Sequence, residues 1–214
     1  MMRSETQRAR RQTAGNPTAW DLILRGMWHF HHQQRDHHRR ARELFRQAIA
    51  ADPSSAEGHV WLVRCINGSI YAGWSDDEVA DRTEQAEALR RCLSLGETGP
   101  YTLYAQAITY SSTGEPDRGT AAVQRSIDLS PSFALGHYML GVSRLGTGHA
   151  AAAVEPFLRG FRLNPNDSQA FLWMALLGLA YFLTGDYREA ADRAADAVAV
   201  WREVNLPNVV EHIA

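Results

Sequence analysis

The sequence contains no lysine; all 22 of its basic residues are arginines, which reads as genomic base composition and not as chemistry. It has only two cysteines, Cys65 and Cys92, and no CxxC pair. That excludes a disulfide framework and a thiolate metal frame, and predicts two buried, reduced thiols. Charge of one sign is missing too, because 24 acidic residues leave a net charge of −2. Nothing electrostatic therefore calls for nucleic acid or an anionic membrane as a partner. No stretch approaches the roughly 18 consecutive apolar residues of a membrane-spanning helix. The basic opening MMRSETQRARRQT has no apolar run behind it, so it is not a secretory signal, and a cytoplasmic protein is expected. No phosphate loop, HExxH frame or nucleophile–base pair stands out, and a non-enzymatic protein without a cofactor is the expectation. His59 and His137 have no acidic partner in register and read as structural histidines.

What the chain does have is repetition. Ala107 and Gly141, Gly114 and Gly148, Gly119 and Ala153, Val123 and Phe157, Ser126 and Gly160, and Pro131 and Pro165 all lie 34 residues apart. Gly178, Gly185, Ala190 and Ala197 continue the series 37 residues further on. Ala41, Phe45, Ala48 and Pro53 mark the second helix of an earlier unit, and Leu89 with Cys92 that of another, whose unit holds an insertion of about ten residues. This is the signature of the tetratricopeptide helix–turn–helix repeat. It predicts an all-α fold, a right-handed superhelical array of about five repeats, at about 16–53, 54–97, 98–131, 132–165 and 166–203. Residues 1–15 form a basic tail or linker outside the array, which runs to about 205. Residues 206–214, NLPNVVEHIA in part, read as the start of a short capping or truncated helix.

The spacing has a physical cause. Two closely packed antiparallel helices need small residues at their crossing points, while Phe45, Leu89, Val123 and Phe157 fill the space between. Gly114, Gly148 and Gly185 supply left-handed caps, and the terminal prolines stop the second helices. One hairpin cannot bury its apolar face alone, so neighbours stack into a continuous core. Ser75 and Glu78 read as a capping box, and Thr98-Gly99-Pro100 as a cap followed by proline in the first turn. Pro156 falls inside an expected helix, where it predicts a bend.

The array resembles the tetratricopeptide region found C-terminal to class III nucleotide cyclase domains and in related bacterial regulators. Three stretches carry the resemblance, TAWDLILRGMWHF at 18–30, GWSDD at 73–77 and FLWMALLGLAYFLTGDYREAADRA at 171–194. It implies a regulatory role beside a catalytic domain that would precede the repeats. Nothing matches the paired metal-binding aspartates of a cyclase, so no catalytic residue is carried over.

In this fold the first helix of each repeat lines the concave face. Register places Trp20, Ile23, Met27 and Phe30 there, then Val60 and Arg64, then Tyr101, Tyr104 and Ile108. Leu135, Tyr138, Val142 and Leu145 follow, and finally Leu172, Leu179 and Phe182. Repeats that clamp acidic chaperone C-termini use a charged face, whereas here only Arg64 is charged. The expected partner is an apolar peptide or amphipathic helix, or a second copy of the chain. The stretch MWHFHHQQRDHHRR holds five of the nine histidines. The repeat register puts its turn at about Gln33–Asp36, so a polar, exposed hairpin turn is expected, with His32, His37 and His38 as the side chains most able to meet at a metal. Arg39, Arg40, Arg42 and Arg46 then read as a solvated basic face balanced by SDDEVADRTEQAE.

Overall fold

The computed structural model describes residues 17–96 and 98–211, with side chains described for 18–96 and 98–202. The basic stretch 1–15 and the last three residues lie outside. Among the described residues there are ten helices and no strand. They are α1 (Pro17–Phe30), α2 (Arg35–Ala51), α3 (Ala56–Tyr71), α4 (Glu78–Ser94) and α5 (Pro100–Ser112), then α6 (Pro116–Leu129), α7 (Ala134–Gly146), α8 (Ala150–Leu163), α9 (Ala170–Thr184) and α10 (Tyr187–Glu211).

The chain divides into two compact units, one holding α1–α4 and the other α5–α10. In the first, α1 and α2 form a hairpin, α3 and α4 a second, and α3 packs on both α1 and α2. In the second, the hairpins α5/α6, α7/α8 and α9/α10 stack, and each first helix also touches the next first helix, α5 to α7 and α7 to α9.

The small residues do what the spacing predicts. A methyl group added at Gly26 would lie 2.5 Å from the Phe45 ring, and one at Gly141 would lie 2.8 Å from Phe157. Both rings are fully buried, so each glycine lets a phenyl group press against the backbone of the partner helix. Gly160 is covered in the same way by Tyr138. Burying one such ring contributes about 1.5–3 kcal/mol. Cys65 and Cys92 are buried and form no disulfide, and burial pushes the Cys65 thiol up to about 12.

The turns also follow the sequence. Gly114, Gly148 and Gly185 have φ of 82°, 80° and 86°. In the first hairpin the left-handed residue is Gln33, with φ 48°, so a non-glycine residue turns the chain there. Pro100 and Pro116 occupy the opening turns of α5 and α6, with Gly99 as the N-cap of α5. The second helices α2, α6 and α8 end two residues before Pro53, Pro131 and Pro165.

Two local expectations change, at the cap of α4 and at the last helix. Ser75 does not cap α4; Asp77 does, its carboxylate accepting from the Ala80 amide at 3.0 Å, while the Ser75 hydroxyl donates to Asp81. Aspartate two residues closer to the helix outcompetes serine because its charge also meets the helix dipole. The ten-residue insertion is taken up by a long α3 and the segment 72–77. α8 runs through Pro156 from Ala150 to Leu163. The separate helix expected from 206 is the continuation of α10 to Glu211.

Candidate partner-binding faces

The first helices of both units carry the apolar positions expected of a concave face, and packing sorts those positions into two groups. In the first unit Ile23, Phe30, Val60 and Arg64 are buried, Met27 is half-buried and Trp20 is exposed. Arg64 lies over the Trp61 ring at 4.3 Å and the Phe30 ring at 5.1 Å, so the one charged groove candidate is held by cation–π contacts. In the second unit Tyr104, Ile108, Leu135 and Tyr138 are buried. Tyr138 stacks on Trp173 with centroids 4.9 Å apart and donates its hydroxyl to the Asn164 carbonyl at 3.3 Å. Burial pushes its phenol upward, with Asp167 adding to the effect. Buried in this way, the four side chains offer a partner no surface. Val142, Leu145 and Leu172 are half-buried, and Tyr101, Leu179 and Phe182 are exposed.

An open apolar strip therefore survives in the second unit. Val142 and Leu145 on α7 occupy the same repeat positions as Leu179 and Phe182 on α9. Leu179 is 44% and Phe182 57% exposed, and Leu183 and Tyr187 extend the surface. Leu183 and Tyr187 were not legible as face residues because their counterparts 37 residues earlier are the small Gly146 and Ala150. Sequence reasoning also missed Leu24 and Trp28, although with Trp20 they recur every fourth residue along α1.

The histidines separate instead of converging. His29 Nδ1 lies 3.1 Å from His37 Nδ1, one donating and the other accepting, with the Trp28 ring beside both. His38 turns inward, packed against Phe30 and Trp74, with Nδ1 3.3 Å from the Ser69 hydroxyl. The exposed polar turn of the sequence reading thus holds a buried histidine, because α3 packs over the start of α2. His32 is half-buried. Among the described residues no three His, Cys, Asp or Glu side chains gather as a metal would require.

On the arginine face of α2, Arg39, Arg40 and Arg46 are exposed and Arg42 is half-buried, and the balancing acids come from the stretch 75–87. Arg42 pairs with Asp81 and Glu84, Arg46 with Glu84 at 2.6 Å, and Arg35 with Asp76. Burial would raise the Glu84 carboxyl, but the Arg46 and Arg42 guanidiniums outweigh it and hold the group below its ordinary value. These residues flank a cleft of about 330 Å³ that is also lined by His38, Trp74 and Asp77. Its cations are matched by its own carboxylates, which leaves little field for an anion.

The model of the tetratricopeptide repeat family matches residues 31–67 and 138–203. Small residues under large rings, left-handed turn residues and stacked hairpins agree with it. The chain folds as a tetratricopeptide-repeat array. A thermophilic tetratricopeptide protein of Thermus thermophilus superposes with a TM-score of 0.62 at 13% identity, covering 92% of this chain and 100% of that one. A structure from the functional characterisation of Pseudomonas aeruginosa pilF gives 0.55 at 18%, covering 91% and 85%. MamA from Desulfovibrio magneticus RS-1, residue 41 to the end, gives 0.52 at 12%, covering 88% and 97%. At these identities the likeness is one of fold. No curated protein matches the sequence significantly.

Proposed function

We propose that the protein is a non-enzymatic protein–protein interaction module that holds an apolar peptide or amphipathic helix on the strip formed by α7 and α9. The supporting observation is the exposure of Leu179 and Phe182 at register positions that first helices use to build the concave face. Contiguous exposed apolar surface of this kind marks partner sites, and an amphipathic helix matches its spacing. The self-neutralising cleft beside α2 agrees with a role that involves neither an anionic substrate nor nucleic acid. No helix among the described residues is long and apolar enough to cross a membrane. The resemblance to cyclase-associated repeats supplies a setting for the module, the regulatory arm of a nucleotide cyclase or transcriptional regulator in the bacterial cytoplasm.

Affinity capture from the source lysate, comparing wild type with Leu179→Glu and Phe182→Glu, tests this reading. Both sites are exposed, so each variant should melt near wild type, within about 0.5 kcal/mol, while losing the captured partner. Capture that survives both substitutions would overturn the assignment. Tyr104 and Tyr138 are unsuitable for this test, since a charge at either position would disrupt the core.

A further inference from the structure

A short turn brings two histidines face to face. α1 ends at Phe30 and α2 begins at Arg35, so the hairpin lays the last turn of α1 beside the first turn of α2. His29 and His37 meet there from opposite helices, Nδ1 3.1 Å from Nδ1, with ring centroids 5.0 Å apart. The lock of Gly26 beneath Phe45 joins the same two helices, so packing and not a flexible loop sets the distance between their backbones. Spacing along one helix could not show this pair, because its members lie on either side of the turn.

As a hydrogen-bonded pair, one ring carries its proton on Nδ1 and the other accepts. With both rings protonated on Nε2 instead, two lone pairs face one gap, which is how neutral imidazoles ligate a metal. The width of the gap suits that use. At metal–nitrogen bonds of about 2.0–2.1 Å, neighbouring donors stand about 2.9 Å apart around an octahedral ion and about 3.3 Å apart around a tetrahedral one. The observed 3.1 Å lies between the two, so a modest turn of each ring admits an ion. Both rings are half-buried, and the exposed Trp28 indole lies 4.8 Å from His29 and 5.6 Å from His37. Solvent therefore reaches the pair. The nearby guanidiniums are each matched by a carboxylate, Arg25 by Asp21, Arg35 by Asp76, Arg39 by Asp36 and Arg40 by Glu43, which spares an incoming cation their repulsion.

We propose that His29 and His37 form a two-imidazole site for a borderline divalent ion, of the zinc, nickel and copper class that such donors select. Resident metals take three or four protein ligands, and among the described residues no third His, Cys, Asp or Glu completes such a set. Water fills the remaining positions, and the ion exchanges with solvent. Bound there, it clips the end of α1 to the start of α2, the hairpin on which α3 packs. An ion that binds the folded hairpin alone raises the melting temperature by mass action. Calcium and magnesium, which take oxygen donors, find none in the pair.

The test is calorimetric titration of the tag-free full chain with nickel chloride, followed in parallel by tryptophan emission and thermal melts. Wild type should bind one ion per chain, with quenching as nickel settles beside Trp28. His29→Gln and His37→Gln should each weaken binding about tenfold or more, since even outer-shell partners of a metal matter that much, and should cancel the nickel-induced rise in melting temperature. Trp28→Phe should keep the binding and lose most of the quenching. His149→Gln removes an exposed histidine of the second unit and should bind as wild type does. Magnesium chloride should produce no response. Circular dichroism checks folding, and the Trp28→Phe comparison locates the ion even if both glutamine variants unfold. A wild type without saturable binding, or folded glutamine variants that bind as tightly as it does, would overturn the proposal. So would quenching that survives Trp28→Phe, a His149→Gln variant weakened as much as the pair, or an equal response to magnesium.

Discussion

The hairpin α1/α2 and the hairpin α7/α8 are built on the same lock and differ in what covers them. In each, a glycine of the first helix lies beneath a fully buried phenylalanine of the second, Gly26 under Phe45 and Gly141 under Phe157. Yet Leu24 is open where Met139 is buried, and Gln33 bends the turn that Gly148 bends in the later hairpin. The lock belongs to the single repeat, whereas burial of its outer face is supplied by the neighbouring one. The same register position can therefore be core in one repeat and exposed in another.

The largest test of the shared lock is truncation of its ring. Phe45→Ala and Phe157→Ala should each cost about 3–5 kcal/mol in denaturant unfolding. A cheap substitution at either site would mean that the two hairpins are not held alike. Approaching from the other side, Gly26→Ala and Gly141→Ala should each cost about 1–3 kcal/mol through overpacking, with Gly26 the worse because its added methyl would lie closer to the ring.

The turns sharpen the difference. Gly148→Gln should cost about 1–2 kcal/mol for a side chain placed in the left-handed region, whereas Gln33→Gly should gain less than about 1 kcal/mol, since Gln33 is buried and its removal loses packing. Matched thermal melts of the two variants would expose a wrong pairing of these positions.

The smallest expected effect is a pH dependence confined to the first unit. Burial lowers the His59 pKa from 6.5, the nearby Pro53 carbonyl opposes that, and the charge of Arg91 adds to it. The unfolded chain then binds the proton more readily than the folded one. Stability is complete above pH 6.5 and falls as pH drops toward the folded value. His59→Gln should flatten the melting temperature between pH 7 and about 5. An unchanged slope would assign the dependence to other groups.

Much of the fold is written in the 34-residue period, because small residues at crossing points and glycines in the turns are demanded by local geometry. The faces were harder to read. Register put Tyr138 and Phe182 on one side of the first helices, but only the next hairpin decides that Tyr138 stacks beneath Trp173 while Phe182 meets solvent. Arg42 looked like part of a solvated stripe because its partners Asp81 and Glu84 lie about forty residues away. Ser75 and Asp77 competed for one cap, and the difference was decided by a helix start two residues later than the pattern suggested. Trp20, Leu24 and Trp28 recur every fourth residue, but the spacing alone does not show that α1 leaves all three exposed.

The central claim is that Leu179 and Phe182 meet a partner that buried Tyr138 cannot reach. Site-specific photo-cross-linking measures this directly, with a photoreactive phenylalanine analogue placed at Phe182 and, as a control, at exposed Arg125 on α6. In the source cells position 182 should yield a discrete adduct to one protein that position 125 does not. No adduct at 182, or the same products from both positions, would contradict the account.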